Sequence, residues 1–373
     1  MSNIDIQFNE SELNSAFMLG LDLKSGDKLT KTYNYSSDGD DIFRIASMTK
    51  VITTVAALQQ VESGKIGIND PLNNIVPELA NVPALDEEGN ICKSDAEISI
   101  KHLITHTGGF GYFFTSEELN EHLGKAPIGK DLIQHQMSLR IFRPGEGFRY
   151  GTNIDWLGKV VEVLSGKSLE EYFREHISGP LEMNSTWFNP PKHLNERVVD
   201  YYFKDKTKYN LAGSRIPEKS EFFSGGGGLL SSANDYLKFL TCLINWGKTG
   251  DLEILKEETV KSMFKDQLPE NINPSFPSIS FNHPWIGKGD FISDLDGCRW
   301  GYGWALEAGN KNSLRSNGAA FWAGLFNSYF TIDPWKKVIV IYFSQFFPFN
   351  DKDAYSLYRA FEHEVYSIGN NQK

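Results

Sequence analysis

The chain has 373 residues, of which 40% are hydrophobic and 23% charged, a composition typical of a globular protein with a large core. Its 37 basic and 48 acidic residues give a net charge of −11, which argues against nucleic acid or an anionic membrane surface as the main partner. The three cysteines lie far apart, which speaks against a disulfide framework and against a cysteine metal site.

The beginning of the chain is polar. The residues up to Phe17 contain no apolar segment of the kind found in a secretory leader. The sequence also has no run of about 18 apolar residues, so no membrane-spanning helix is expected. We therefore predict a cytoplasmic protein without a membrane partner, and the sequence leaves its oligomeric state open.

The first predicted elements are a β-hairpin and a helix. An apolar run over 17–23 ends at a Lys-Ser-Gly-Asp turn and is followed by loosely alternating residues over 28–35. From Met48 to Val61 apolar residues recur at helical spacing, and Gly64 is expected to end that helix.

The middle of the chain is predicted to be mostly helical from residue 70 to about 200. An amphipathic helix is expected over 155–164, and Ser168 is a plausible N-cap for the next one. The polar stretch 200–222 predicts a loop-rich region. The stretch 267–298, which combines prolines with aromatic residues and lacks a clear period, predicts a long loop or lid.

The last part of the chain changes from helical to strand periodicity. Ser232 is expected to cap a helix that runs to Leu243. Residues 329–332 and 338–343 predict paired strands, and 353–366 a final helix. Strands at both ends around a helical middle indicate an α/β fold. We predict a sheet domain built from 1–70 and 225–373, a mostly helical insertion over 71–224, and an active site between them.

The stretch Ser47-Met48-Thr49-Lys50 is the first candidate catalytic motif. Residues three apart on a helix share a face, so the amine of Lys50 can approach the hydroxyl of Ser47 and take its proton. A helix N-terminus also favours a nearby oxyanion. Taken alone, this pattern also occurs in ordinary helices as a capping serine and a surface lysine.

A serine–lysine pair also needs a group that passes a proton to the leaving group and donors for the oxyanion, and two further motifs can supply them. Tyr150 follows the turn-forming run 144–147 and can act in acid/base catalysis beside an ammonium group, although a packing role is the alternative. Trp322-Ala323-Gly324-Leu325 opens a strand whose backbone N–H at Leu325 can form an oxyanion hole with the N–H of Ser47. The alternative for Gly324 is a β-bulge in an edge strand.

In this order, the three motifs resemble the serine β-lactamase and penicillin-binding protein superfamily. The resemblance is closer to its esterase branch, the family VIII carboxylesterases, and to related acyltransferases of fungal polyketide pathways. It extends over residues 40–345 and includes supporting stretches at 43–50, 103–109, 144–146, 226–232 and 301–304.

This resemblance implies a β-lactamase/transpeptidase-like fold, with an antiparallel sheet flanked by helices and a mostly helical second lobe. It implies that Ser47 is the acylated nucleophile and Lys50 its base. Tyr150 would assist proton transfer, and the N–H groups of Ser47 and Leu325 would form the oxyanion hole. We expect no cofactor.

Two departures from the superfamily pattern bear on the substrate. The third strand of β-lactamases carries a lysine or histidine that meets a substrate carboxylate, whereas Trp322 stands here and favours a neutral small-molecule ester. Thr152 stands where the second motif often has asparagine, so an amide-binding role at that position is doubtful. The predicted pocket residues are Tyr112, Phe113, Phe114, Thr152, Trp285, Trp304, Trp322 and Gly324, and core packing is an equal alternative for the aromatic ones.

The predicted function is therefore a serine carboxylesterase that cleaves small to medium acyl esters. The alternatives are an acyltransferase that passes the acyl group to an alcohol, a D-amino-acid amidase or peptidase, and, least favoured, a non-catalytic scaffold. His102 and His106 are spaced for a shared metal, but no third ligand stands nearby in the sequence, so we expect no metal site.

Overall fold

The computed structural model describes residues 2–94, 96–123, 132–274, 276, 285–286, 295, 297–310 and 313–368. The helices of this part of the chain are α1 Asn3–Glu10, α2 Thr49–Glu62, α3 Pro77–Ala80, α4 Ile100–Ile104, α5 Glu117–Leu123, α6 Leu132–Gln136, α7 Asn153–Ser165, α8 Leu169–Phe173, α9 Ala233–Ile244, α10 Glu257–Met263 and α11 Lys352–Ile368. A short 3₁₀ turn, Ala46–Met48, precedes α2.

The main sheet has seven strands and is antiparallel throughout, in the order β11-β12-β13-β14-β15-β1-β2. Because β1 pairs with β15, the two ends of the chain meet in the middle of one sheet. The strands are β1 Ala16–Asp22, β2 Lys28–Tyr33, β11 Arg299–Trp300, β12 Ala305–Leu306, β13 Ala320–Gly324, β14 Ser328–Asp333 and β15 Val338–Phe343.

The smaller sheets complete the strand set. They are formed by β3 Ile42–Arg44 with β8 Leu230–Ser232, β4 Ala84–Leu85 with β5 Ile91–Cys92, β9 Lys248–Thr249 with β10 Leu252–Glu253, and β16 Phe346–Phe347 with β6 Tyr202–Asp205 and β7 Lys208–Leu211.

Helices cover the sheet and extend the core away from it. The C-terminal α11 packs against β1 and β15, and α9 packs against β14 and β15. Strands β13, β14 and β15 are buried along their whole length, as expected for strands covered on both faces. Helix α2 packs against α7, and this contact brings the two main sequence motifs to the same region.

Most of the predicted elements are present. The hairpin is β1 and β2. The helix that follows Ser47 ends at Glu62, with Ser63 as its C-cap and Gly64 next at a positive φ of 74°. Ser168 caps α8 in a capping box with Glu171, and Ser232 caps α9. The predicted antiparallel sheet flanked by helices is confirmed, while the division into lobes at residues 70 and 225 stays a prediction.

The prediction for residues 200–222 was wrong for its first half. The stretch 200–222 was expected to be loop-rich, but it contains the hairpin of β6 and β7, which pairs with β16 near the other end of the chain. In the turn of this hairpin Lys206 adopts a positive φ of 55°. The turn contains no glycine or proline, so the sequence carries no strong turn signal there. The predicted loop or lid over 267–298 lies largely outside the described residues.

No helix among the described residues is long and apolar enough to cross a membrane.

Candidate active site

Ser47 lies in a sharp turn between a strand and a helix. Strand β3 ends at Arg44, and the 3₁₀ turn that contains Ser47 leads directly into α2. Ala46 has a φ of +43°, a conformation that costs an L-residue about 1–3 kcal/mol and persists where the surroundings impose it. The turn leaves Ser47 partly exposed while both of its neighbours are buried.

Lys50 follows one turn later on α2 and is fully buried, with 0% of its surface exposed. Its Nζ lies 3.0 Å from Ser47 Oγ, 3.0 Å from the hydroxyl of Tyr112 and 2.6 Å from the carbonyl oxygen of Gly226. The predicted serine–lysine pair is therefore in direct hydrogen-bond contact, and the amine is held by two further groups.

Tyr150 also lies beside the amine. The Lys50 Nζ is 4.8 Å from the centroid of its ring, and its hydroxyl oxygen accepts a hydrogen bond of 3.1 Å from the indole N–H of Trp322. Asn153 holds the loop that presents this tyrosine, because its buried amide donates to the carbonyl oxygens of Phe110 and Arg149. The first and second motifs thus meet, with the third motif in contact with the second.

Strand β13 ends directly against the turn that carries Ser47. A Cβ on Gly324 would lie 2.5 Å from the carbonyl oxygen of Ile45, a distance that real Cβ atoms essentially never show. Only glycine allows this approach, which places Leu325 and Ser47 on the wall of the same cavity. The two-donor oxyanion hole at these residues stays a prediction.

The cavity beside Ser47 has a volume of about 280 Å³ and an apolar lining. Within the described chain its wall contains no Asp, Glu, Lys, Arg or His side chain. The lining is formed by Ala46, Ser47, Tyr112, Phe113, Phe114, Ile133, Gln136, Tyr150, Ser224, Gly226, Gly227, Gly228, Trp285, Ile286, Trp322, Ala323, Gly324, Leu325, Phe326 and Phe349.

Two of the predicted pocket residues lie elsewhere, which corrects the sequence-based assignment. Trp304 is fully buried in the core, where its indole N–H donates to the carbonyl oxygen of Met263 and its ring packs on Phe264. Thr152 is fully buried at the start of α7 and does not line the cavity. Both side chains point into the core, and a single sequence does not determine that orientation.

Neither the contact of Tyr112 with Lys50 nor the position of Asp155 was predicted from the sequence. Tyr112 was expected only to line the pocket, yet its hydroxyl contacts Lys50. Asp155 is buried in the first turn of α7, where its carboxylate accepts hydrogen bonds from the Ser224 hydroxyl at 2.5 Å and the Gly226 N–H at 3.1 Å. The only sequence signal for Asp155 was an acid five residues after Tyr150, which an ordinary helix N-terminus also explains.

Burial dominates the electrostatics of these groups. It raises the pKa of Asp155, an effect that nearby Lys50 opposes, and it raises the pKa of Tyr112 well above 10. The Tyr112 phenol is therefore neutral. His106, which packs against the Tyr150 ring at 4.8 Å, has a pKa well below 6.5 because it is buried and close to Lys50.

The two histidines do not form a metal site within the described residues. His102 completes a capping box with Ser99, and His106 accepts from the backbone N–H of Gly151 through Nδ1. No cluster of three or more His, Cys, Asp or Glu side chains suited to a metal is present in the part of the chain that the structure describes.

Comparison with known proteins agrees with this geometry. The sequence profile of the Beta-lactamase family matches residues 20–364. The chain belongs to the beta-lactamase family, the group of serine β-lactamases and penicillin-binding-like proteins, and within it is related to fungal acyltransferases and esterases.

Three relatives illustrate the relationship. Monacolin J acid methylbutanoyltransferase of Aspergillus terreus is 30% identical over 361 residues, covering 87% of this chain and 81% of its own. Lovastatin esterase of Penicillium rubens is 32% identical over 248 residues, covering 61% of this chain and 60% of its own. The solved structure of simvastatin synthase from Aspergillus terreus, in a mutant form, superposes with a TM-score of 0.80 at 23% identity and covers 99% of this chain and 98% of its own. The chain is thus a serine hydrolase or acyltransferase of this family.

Proposed function

We propose that the protein is a serine carboxylesterase that cleaves small to medium acyl esters through an acyl-enzyme on Ser47. The observation that carries this proposal is the 3.0 Å contact of Ser47 Oγ with the buried amine of Lys50, at the wall of an apolar cavity. A hydroxyl with an adjacent base is the arrangement that nucleophilic catalysis requires.

The reaction then follows from the positions of the groups. Lys50 takes the proton of Ser47 as Oγ attacks the ester carbonyl, and the carbonyl oxygen becomes an oxyanion that the N–H groups of Ser47 and Leu325 stabilise. The C–O bond to the alcohol breaks as that alcohol takes a proton from Lys50 or Tyr150. Water then attacks the acyl carbon and loses a proton to the same groups. The bond between the acyl carbon and Ser47 Oγ breaks, and Oγ takes that proton back as the carboxylic acid leaves.

The lining of the cavity supports a neutral substrate. A carboxylate or an ammonium group on the substrate would lose its hydration on entry and would meet no charged side chain of the described wall. Trp322 stands where a cation would be needed for a β-lactam carboxylate. This argues against the amidase or peptidase alternative, which requires a group that reads a charged amine or carboxylate.

An acyltransferase is the second candidate, because one relative is named as a methylbutanoyltransferase. The two functions share every step up to the acyl-enzyme and differ only in whether water or an alcohol attacks it. Product analysis with a nitrophenyl ester and an added alcohol separates them. Free acid as the main product supports the esterase, and a new ester that dominates at millimolar alcohol supports the transferase.

The nucleophile is tested by Ser47→Ala, which should abolish turnover of a nitrophenyl ester and labelling by a fluorophosphonate probe. Ser63→Ala, at an exposed serine that caps the far end of the same helix, is the matched control and should retain both. A Ser47→Ala enzyme that keeps its rate within about twofold overturns the assignment, and the absence of any adduct on Ser47 favours the scaffold alternative.

A further inference from the structure

Asp155 is a buried carboxylate that the reaction described above does not use. It is 1% exposed, and the groups that face it are all hydrogen-bond donors: the Ser224 hydroxyl, the Gly226 N–H and the Tyr112 hydroxyl, the last at 3.5 Å. Burial raises the pKa of this carboxyl, and Lys50 and the hydrogen bonds from Ser224 and Gly226 oppose that rise by stabilising the ionised form, in which both oxygens accept hydrogen bonds.

Two of the residues that donate to Asp155 also contact the amine of Lys50. The Tyr112 hydroxyl lies 3.0 Å from Lys50 Nζ, and the carbonyl oxygen of Gly226 lies 2.6 Å from it. Asp155 is therefore linked to Lys50 twice, once through a phenol and once through the backbone of a single residue. A Cβ on Gly226 would lie 2.3 Å from the Asp155 carboxylate, so this second link depends on glycine.

These links fix the direction of each hydrogen bond. The Tyr112 phenol has one proton, and Asp155 can only accept it, so the lone pairs of the phenol oxygen are left to face Lys50. Lys50 must then donate one N–H to Tyr112. It donates a second to Gly226, because a carbonyl oxygen also only accepts.

A neutral amine has two N–H bonds and one lone pair. With both N–H bonds directed to Tyr112 and Gly226, the lone pair is left for the third contact, the Ser47 hydroxyl at 3.0 Å. We propose that Asp155 is a positioning residue that acts through Tyr112 and Gly226 to turn the lone pair of neutral Lys50 toward Ser47. This inference rests on the proposed serine mechanism and specifies how its base is oriented.

The same arrangement serves the proton transfer. As the Ser47 O–H bond breaks, the proton and the lone pair form a third N–H bond on Lys50, and the electron pair of the broken bond goes to the attacking oxygen. The ammonium keeps both existing donor bonds, so no partner has to reorient. A negative charge on Asp155 favours the ammonium, and because both residues are buried, solvent screens this electrostatic interaction little.

Within the described part of the chain, few other groups that titrate face this pair. Lys50 faces Tyr112, the Tyr150 ring at 4.8 Å and, electrostatically, His106, whose pKa burial lowers well below 6.5. Asp155 faces Lys50 and Tyr112. A change of charge at Asp155 should therefore be felt mainly by Lys50.

The test is Asp155→Asn, which keeps the shape of the side chain and removes its charge. Because the Gly226 N–H must still meet an acceptor, the asparagine oxygen takes that side and its NH₂ group faces Tyr112. The phenol then turns its proton onto the Lys50 lone pair. We expect fluorophosphonate labelling of Ser47 to slow by at least roughly tenfold, within the range that a positioned base contributes, with KM for a neutral ester unchanged.

A double-mutant cycle separates this effect from general damage. Tyr112→Phe should slow labelling about threefold or more. Asp155→Asn should have no further effect in that background, because no phenol remains that could turn its proton toward Lys50. The acidic limb of the pH–rate profile should also move to lower pH in Asp155→Asn, since the ammonium has lost its carboxylate. Asp235→Asn, at another buried carboxylate bonded to a backbone N–H and a hydroxyl, is the matched control and should leave rate and profile unchanged.

The outcomes are distinct. If wild-type enzyme is not labelled on Ser47, the proposed function falls and this inference with it. If wild type is labelled and Asp155→Asn is labelled equally fast, or if the two single effects simply multiply, only the positioning role is overturned. Should Asp155→Asn fail to fold, Tyr112→Phe decides alone: slower labelling at unchanged KM supports the role, and a wild-type rate overturns it.

Discussion

The indole N–H of Trp322 donates a hydrogen bond of 3.1 Å to the phenol oxygen of Tyr150. The residue that replaces the usual cation of the third motif therefore contacts the second motif, and both rings lie on the wall of the cavity beside Ser47. Because the phenol oxygen accepts this bond, Trp322 helps to fix the position of the Tyr150 hydroxyl at the cavity wall.

Trp322→Phe should consequently lower kcat by roughly fivefold to tenfold, the effect of one lost hydrogen bond of about 1–1.4 kcal/mol, with a smaller change in KM. The measurement is steady-state hydrolysis of a nitrophenyl ester. Trp304→Phe removes the same indole from the core, where its N–H meets Met263, so that variant should lose heat stability and keep its kcat. A Trp322→Phe enzyme with full kcat would show that the contact plays no part in turnover.

Gly324 permits strand β13 to reach the turn that carries Ser47, the proposed nucleophile. Gly324→Ala puts a Cβ against the carbonyl oxygen of Ile45, a backbone atom that cannot move without its neighbours. We expect a loss of about a hundredfold in kcat, because a shift of about 1 Å at Ser47 or Leu325 breaks the alignment with the substrate carbonyl.

The control for this prediction is Gly64→Ala at the end of α2, where nothing lies within 4 Å of a new Cβ and only the positive φ of 74° is unfavourable. That variant should lose about 1 kcal/mol of stability and keep its activity. Kinetics and thermal unfolding of both variants decide the matter. Equal activity in the two would place the oxyanion donors away from Leu325.

The buried His106 predicts a pH dependence of stability. Burial lowers its pKa well below 6.5, so below about pH 6.5 the unfolded chain binds a proton that the folded chain does not. The free energy of unfolding should thus be highest above this pH and should fall as the pH decreases. His106 contributes up to about 1.4 kcal/mol per pH unit to this fall.

Urea unfolding between pH 5 and 8 measures the effect. His106→Asn removes the titration and tolerates the positive φ of 56° at this position, so its stability should vary less over this range. His193→Asn, at an exposed histidine, should leave the wild-type slope in place. A slope that is identical in wild type and His106→Asn would assign the pH dependence to other groups.

The sequence predicted what is local. Helix α2, its serine–lysine spacing, the hairpin of β1 and β2, and the caps at Ser168 and Ser232 follow from periodicity and from short-range hydrogen bonding. The family resemblance added the order of the motifs, and with it the antiparallel sheet.

The rest of the site depends on contacts between distant segments. Tyr112 is 62 residues from Lys50, and the Gly226 carbonyl is 176 residues away, so no spacing rule connects them. In the sequence, Asp155 looks like any acidic residue in the first turn of a helix, and Trp304 looks like any aromatic residue that could line a pocket. In both cases packing against another segment decided the role, because it set which way the side chain points.

Lys50 has no exposed surface, and its described contacts are a hydroxyl, a phenol and a carbonyl, all of them neutral. Such an interior amine is unfavourable for the fold whichever protonation state it holds, since an apolar side chain of similar length, such as methionine, would fill the same space without needing polar neighbours. The residue that we propose as the catalytic base therefore lowers the stability of the core. A variant that no longer has to react with substrates is therefore expected to gain heat stability when an apolar side chain replaces Lys50.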